Sequence, residues 1–136
     1  MILTNPKSIK THYLICLIIG IGIVHFTPKG IREFGVVFFA LSTFVLFFIN
    51  HMLSFYPFRR KLKDIDPKTF HSNSVNYEKF DTTRTSNLML YSDKEQLEKI
   101  KDKDFQKLYQ TTKTSLSYAM LSFATIIALA ISQIVW

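Results

Sequence analysis

Hydrophobic positions along the chain gather into three uncharged blocks separated by polar, charged segments. The first runs from Tyr13 to Phe26, the second from Phe34 to Leu53 and the third from Leu116 to Trp136. At 1.5 Å per residue the second and third reach about 30 Å, the thickness of a bilayer's hydrocarbon core. A core helix of that length in a soluble protein normally keeps a polar face. These two blocks are apolar all round, broken only by residues such as Ser, Thr, Asn, His and Gln. Both are expected to cross a membrane. The first block reaches only about 21 Å. Extended back through Ile9 to His12, with Lys10 snorkelling to the headgroups, it too makes a short spanning helix. The pattern therefore predicts an all-α integral membrane protein with transmembrane helices over about 12–26, 34–53 and 116–136.

Pro28 and Gly30 interrupt the chain between the first two blocks and leave only 27–33 to reverse its direction. The first two helices, residues 1–54 with their flanks, are expected to form an antiparallel hairpin. The N-terminus and the segment 55–115 then share one side of the membrane. Within about 15 residues of the helix ends, that side carries Lys7, Lys10, Arg59, Arg60, Lys61, Lys63, Lys68, Lys101, Lys103, Lys107 and Lys113, against Lys29 and Arg32 on the other. The positive-inside rule places the N-terminus and 55–115 inside and the C-terminus outside. Tyr13, Phe55, Tyr56, Phe58 and Tyr118 fall near the inner interface and Trp136 near the outer one, as aromatic belts require.

Within the inside segment, FYPFRRKLK follows the second block directly. Arg59, Arg60, Lys61 and Lys63 are candidate contacts for anionic lipid headgroups, although a basic flank is also the ordinary accompaniment of an inner helix end. Asp64 to Pro67 reads as a turn rather than a metal site. Phe70 to Tyr91 reads as a polar loop with short extended pieces. Ser92, followed three residues later by Glu95, has the form of a capping box. It precedes apolar residues at helical spacing, among them Leu97, Ile100, Phe105 and Leu108. An amphipathic helix over about 93–112 is expected to run into the third transmembrane helix, with a kink at Thr111 to Ser115 and a face offered to a partner.

Candidate chemistry is sparse. No metal-ligand, nucleophile or phosphate-loop motif occurs, and no charged residue sits at membrane depth. No enzymatic activity, cofactor or metal is expected. His12 and His51 begin the first helix and end the second, at one level of a hairpin, and could ligate a haem b as in some respiratory membrane anchors. Ala124, Ala128 and Ser132 stand four residues apart on the third helix, a stripe that admits close helix approach. Gly20 and Gly35 offer complementary small surface on the hairpin.

Composition narrows the function classes further. The single cysteine, Cys16, excludes a disulfide scaffold. The net charge of +7 could suggest nucleic acid, but the basic residues flank membrane helices and carry no reading element, so no nucleic-acid partner is expected. The expected function is a small non-catalytic polytopic subunit, or assembly and scaffold partner, of a larger membrane complex in a bacterial or mitochondrial inner membrane. Its partners would be anionic lipids and other integral membrane subunits. A holin-like pore former or a membrane immunity protein shares the three-helix architecture and is the alternative. The haem-bearing anchor is a second.

Overall fold

A computed structural model describes residue 3 and residues 5–72, 74–77, 82–85 and 87–135. The chain is built of helices, three of them long and apolar enough to cross a membrane. Trp136, the expected outer aromatic anchor, lies outside the described residues.

Helix α1 spans Pro6–Phe26 and so starts seven residues before the apolar block. Asn5 explains the early start. Its side chain accepts a hydrogen bond from the Lys7 amide at 3.0 Å, and Pro6 occupies the first turn, where a missing N–H costs nothing. Thr27 and Pro28 then separate α1 from the second rod. The Arg32 Nε donates to the Thr27 carbonyl at 3.0 Å, across that junction.

The second rod is continuous from Lys29 to Ile65. It comprises α2 (Lys29–Phe39), a π-helical segment (Ala40–Val45) and α3 (Leu46–Ile65). The helix continues past Leu53, where the uncharged block ends. Pro57 lies inside the helix, and the basic flank is helical as well. Proline removes one backbone donor but does not forbid continuation when the extension buries apolar surface. Here Phe58 and Leu62, four residues apart, are fully buried. The rod ends at Asp66, which precedes Pro67 and is held out of the helical region. The Asp66 carboxylate accepts from the Thr69 amide at 3.2 Å and the Thr69 hydroxyl at 2.6 Å, so the expected turn caps a new helix, α4 (Pro67–Ser72).

A two-stranded antiparallel ribbon follows, β1 (Ser74–Tyr77) paired with β2 (Thr82–Thr85). Short helices α5 (Met89–Ser92) and α6 (Lys94–Lys99) lead to α7 (Lys103–Val135). The expected capping box is not formed. The Ser92 hydroxyl donates instead to the Leu88 carbonyl at 3.2 Å, and α6 has no side-chain cap. Nor does one amphipathic helix cover 93–112, because the chain breaks over residues 100–102 without glycine or proline. Asp102 supplies the reason: its carboxylate accepts the Phe105 amide at 2.7 Å and starts α7 afresh. The Gln106 side chain donates at 2.7 Å to the carbonyls of both Leu97 and Ile100, satisfying the ends that the break exposes.

Helix α7 runs unbroken through Thr111 to Ser115, where the sequence led us to expect a kink. Weak helix formers persist there because tertiary packing overrides propensity. Thr111, Thr112 and Ser115 are fully buried.

Packing divides into two cores. One joins Ile9, Tyr13, Cys16 and Val24 of α1 to Phe39 and Phe47 of the second rod and Ala119 and Leu129 of α7. The other joins Phe58 and Leu62 of α3, Phe70 of α4, Met89 and Leu90 of α5, Leu97 of α6, and Phe105 and Tyr109 of α7. Contacts between α1 and the second rod run in opposite sequence order. Leu3 bonds Asn50, His12 bonds Ser42, Gly20 faces Phe39 and Gly35 faces Ile23 and Val24.

Candidate functional site

Three places carry chemistry: a polar layer between the two cores, a basic pocket on α3, and the outward face of α7.

The polar layer is formed by Asn50, His51 and Ser54 of α3 with Thr111, Thr112 and Ser115 of α7, all fully buried. Asn50 uses both ends of its amide. Its oxygen accepts from the Leu3 amide at 2.9 Å, while its nitrogen donates to the Leu3 carbonyl at 3.0 Å and the Ser115 hydroxyl at 2.8 Å. One side chain thus ties the N-terminal segment, α3 and α7 together at a depth where an unmet polar group is costly. Sequence reading passed over Asn50, and only its position inside an otherwise apolar block marks it.

The two candidate haem ligands are engaged with different elements. His12 Nε2 lies 2.8 Å from the Ser42 carbonyl in the π segment, so that nitrogen carries the proton. His51 Nδ1 donates to the Thr112 carbonyl at 3.1 Å, and its ring stacks at a tilt on Phe55. His12 instead meets Phe47 edge-on. Each ring reaches a backbone carbonyl of a neighbouring helix. Among the described residues, no group of three or more His, Cys, Asp or Glu side chains could hold a metal ion.

The four basic residues of the flank separate into two sets. Lys61 points to the start of α7, where its ammonium lies 2.8 Å from the Asp102 carboxylate and 3.6 Å from that of Asp104. Arg59, Arg60 and Lys63 line a cavity of about 220 Å³ together with Tyr56 and Phe70. The Arg59 guanidinium stands 5.9 Å from the ring centres of both Phe55 and Phe70. Tyr56, Arg59, Arg60 and Lys63 follow i, i+3, i+4, i+7 spacing, the period of a single helix face, whereas Lys61 falls off it. That spacing is readable in the sequence. The wall contributed by Phe70 arrives from another helix and is not.

The face of α6 and α7 expected to await a partner is already covered. Leu97 and Phe105 are fully buried, and Ile100 and Leu108 pack against the same cluster. Their cover is α3 with Phe70, Met89 and Leu90 of the segment expected to be loop. Phe58, expected at the membrane interface, belongs to this core as well.

The small residues separate similarly. A side chain at Gly20 would meet Phe39 at 3.4 Å, and one at Gly35 would meet Ile23 at 2.9 Å, so both glycines serve the contact between α1 and α2. Ala124 and Ala128 are exposed on the opposite side of α7 from Ala119, Ser122 and Leu129, and Ser132 is half-buried. The stripe on α7 does not pack within the chain at Ala124 or Ala128.

Two carboxyls outside the three uncharged blocks are held below the usual carboxylate range. For Asp102 the main cause is the hydrogen bond from Lys61, then the Phe105 amide; for Asp66 it is the Thr69 hydroxyl, then its amide. A depressed folded pKa contributes stability that is present above the unfolded value, about 4, and lost as pH falls through the folded one. Acidification below about pH 4 is therefore expected to loosen residues 97–110 before 9–24. Amide-exchange protection factors measured along a pH series in detergent check this, and simultaneous loss in both regions would contradict it.

No family model matches the chain, and comparison with curated proteins and with solved structures returns no match.

Proposed function

We propose that the chain is an integral membrane protein of the bacterial or mitochondrial inner membrane, and that it serves as a non-catalytic subunit or assembly partner of a larger membrane complex. In this reading α1 and the second rod form an antiparallel spanning hairpin, α7 is the third span, and 55–115 lies inside. Exposed apolar side chains on all three long helices support insertion, among them Ile18, Phe34, Leu41 and Met120, each at least 60% exposed. The eleven-to-two bias of Lys and Arg supports the orientation.

The observation that carries the docking role is the outward placement of Ala124 and Ala128. Within a bilayer, helices associate through close backbone approach at small residues, and these two face away from the chain's own core. The partner surface is then a transmembrane helix of another subunit. The inner amphipathic helix, whose apolar face is covered internally, is no part of this docking surface.

The test is mild detergent extraction of the full chain, followed by quantification of stoichiometric co-purifying membrane protein. Replacing Ala124 and Ala128 together by leucine should reduce that protein about tenfold while leaving helicity unchanged. Purification of the wild-type chain as a lone monomer would overturn the subunit reading. Homo-oligomers with membrane leakage on expression would move it to the holin-like alternative.

A further inference from the structure

We propose that Tyr91, Lys113 and Ser117 form a seat for the headgroup of an aminophospholipid, of the phosphatidylethanolamine kind, at the inner end of the third span. The inference rests on the membrane reading above, including its orientation.

The first argument is the state of Lys113. It is half-buried, and its ammonium stands 5.3 Å from the ring centre of Tyr109 and 5.7 Å from that of Tyr91. It donates to the Tyr109 hydroxyl at 3.2 Å. Among the described residues no carboxylate pairs with it, and Glu98, the acid that bears on the Tyr109 hydroxyl, pairs with Lys94 at 4.0 Å. An ammonium has three N–H donors, so two are left for an anionic acceptor. The two rings fix the direction of that cation.

The neighbouring hydroxyls supply the second argument. The Ser117 hydroxyl donates to the Lys113 carbonyl at 3.0 Å and lies 2.8 Å from the Tyr91 hydroxyl. Its one hydrogen is thereby spent, so Tyr91 is the donor of the second bond. Both oxygens keep acceptor capacity, and both side chains are exposed. The site thus sets a cation with spare donors beside two oxygens with spare lone pairs. Its complement is an anion joined to a donor-bearing cation. Phosphoethanolamine has that form, a phosphate carrying a primary ammonium on a short arm. Phosphocholine has the same charges but no N–H, and the phosphatidylglycerol headgroup has no cation.

Depth and continuity decide between a lipid and a free headgroup molecule. Lys113 lies three residues, about 4–5 Å, before Leu116, where the third uncharged block begins. Helix side chains lean toward the N-terminus, and the bond to Tyr109, one turn earlier, shows that Lys113 does so. On the membrane reading its ammonium stands at headgroup level. In the other direction the same line of α7 continues, two turns at a time, as Met120 and Ile127, which are 63% and 47% exposed. An acyl chain finds an apolar track there, beside Ala124 and Ala128. Free phosphoethanolamine would use only the polar end.

The experiment uses the full chain in mild detergent and native mass spectrometry. Phosphatidylethanolamine, its N-methyl and N,N-dimethyl derivatives, phosphatidylcholine, phosphatidylglycerol and free phosphoethanolamine are separate probes. Wild-type protein should retain phosphatidylethanolamine about tenfold more than phosphatidylcholine, the worth of one charge-assisted hydrogen bond, with the methylated lipids in between. Y91F/S117A, which removes the two acceptor oxygens, should abolish that preference with helicity unchanged. K107Q, which removes an exposed charge elsewhere on α7, should keep it.

Equal retention of phosphatidylethanolamine and phosphatidylcholine by the wild type would overturn the proposal, as would persistence of the preference in Y91F/S117A. A preference for phosphatidylglycerol would reduce the site to net charge and overturn it too. So would displacement of the lipid by millimolar free phosphoethanolamine. As a second measurement free of any variant, a photoactivatable phosphatidylethanolamine should label wild-type peptides covering 89–92 and 113–127, and even labelling of all helices would count against the site. Carbonate extraction separates the two readings. Release of the chain from membranes defeats the membrane reading itself, whereas retention without lipid preference defeats only the headgroup site.

Discussion

Phe58→Ala is expected to remove about 3–5 kcal/mol from the stability of the inner part of the molecule, the range for deleting a buried aromatic side chain. Phe58 is fully buried and lies at the centre of the aromatic cluster. Its ring is 5.4 Å from that of Phe105 and 6.1 Å from those of Tyr109 and Phe55. Removing it leaves a hole bounded by three helices that cannot all close on it. The core around Ile9 and Phe39 shares none of these contacts. Limited proteolysis in detergent should therefore cut within residues 66–102 of the variant while α1 stays protected. Phe58→Leu, which keeps most of the volume, should be cut more slowly. Equal resistance of Phe58→Ala and wild type would show that the inner core is not held from α3.

Gly35→Leu is expected to destabilise the apolar part by about 1–3 kcal/mol, the range for an overpacked contact. A Cβ at position 35 would stand 2.9 Å from Ile23 Cγ2, 3.1 Å from Ile23 Cβ and 3.1 Å from Val24 Cγ2. Both neighbours are β-branched and stiff at χ1, so relief requires α1 and α2 to move apart. Gly22 is the internal control, because a Cβ there meets nothing within 4 Å. Gly22→Ala should be neutral or gain up to about 1 kcal/mol from helix propensity. Thermal unfolding of the two variants in the same detergent gives the comparison. Similar midpoints for both would mean that Gly35 does not set the approach of the two helices.

The three long helices were legible because uncharged runs of about 20 residues leave few alternatives. Their ends were less so. Asn5 and Pro6 form an ordinary helix start, yet they lie outside the apolar block and give no hydropathy signal. Pro57 and the basic run after it look like a helix end. What carries α3 onward is the pair Phe58 and Leu62, whose burial depends on Phe70, Phe105 and Tyr109 from elsewhere in the chain. The same dependence made the α6–α7 face look unpartnered: its cover comes from a segment with no periodicity of its own. At the pocket, the one-face spacing of Tyr56, Arg59, Arg60 and Lys63 was available from sequence. The exclusion of Lys61 was not, since it follows from Asp102 starting α7 beside it. The π segment Ala40–Val45 has no sequence signature that separates it from its neighbours, although the Thr43 hydroxyl bonding back to the Phe39 carbonyl at 2.6 Å accompanies it.

The second rod and α7 each run unbroken through both cores. At 37 and 33 residues they are about 55 and 50 Å long. Helical structure is continuous from one core to the other in both rods. A bilayer that thins or thickens changes the tilt of such rods. On the membrane reading proposed above, the core around Phe58, bolted to the ends of both, would swing with them, and membrane thickness would be transmitted to it as a lever movement.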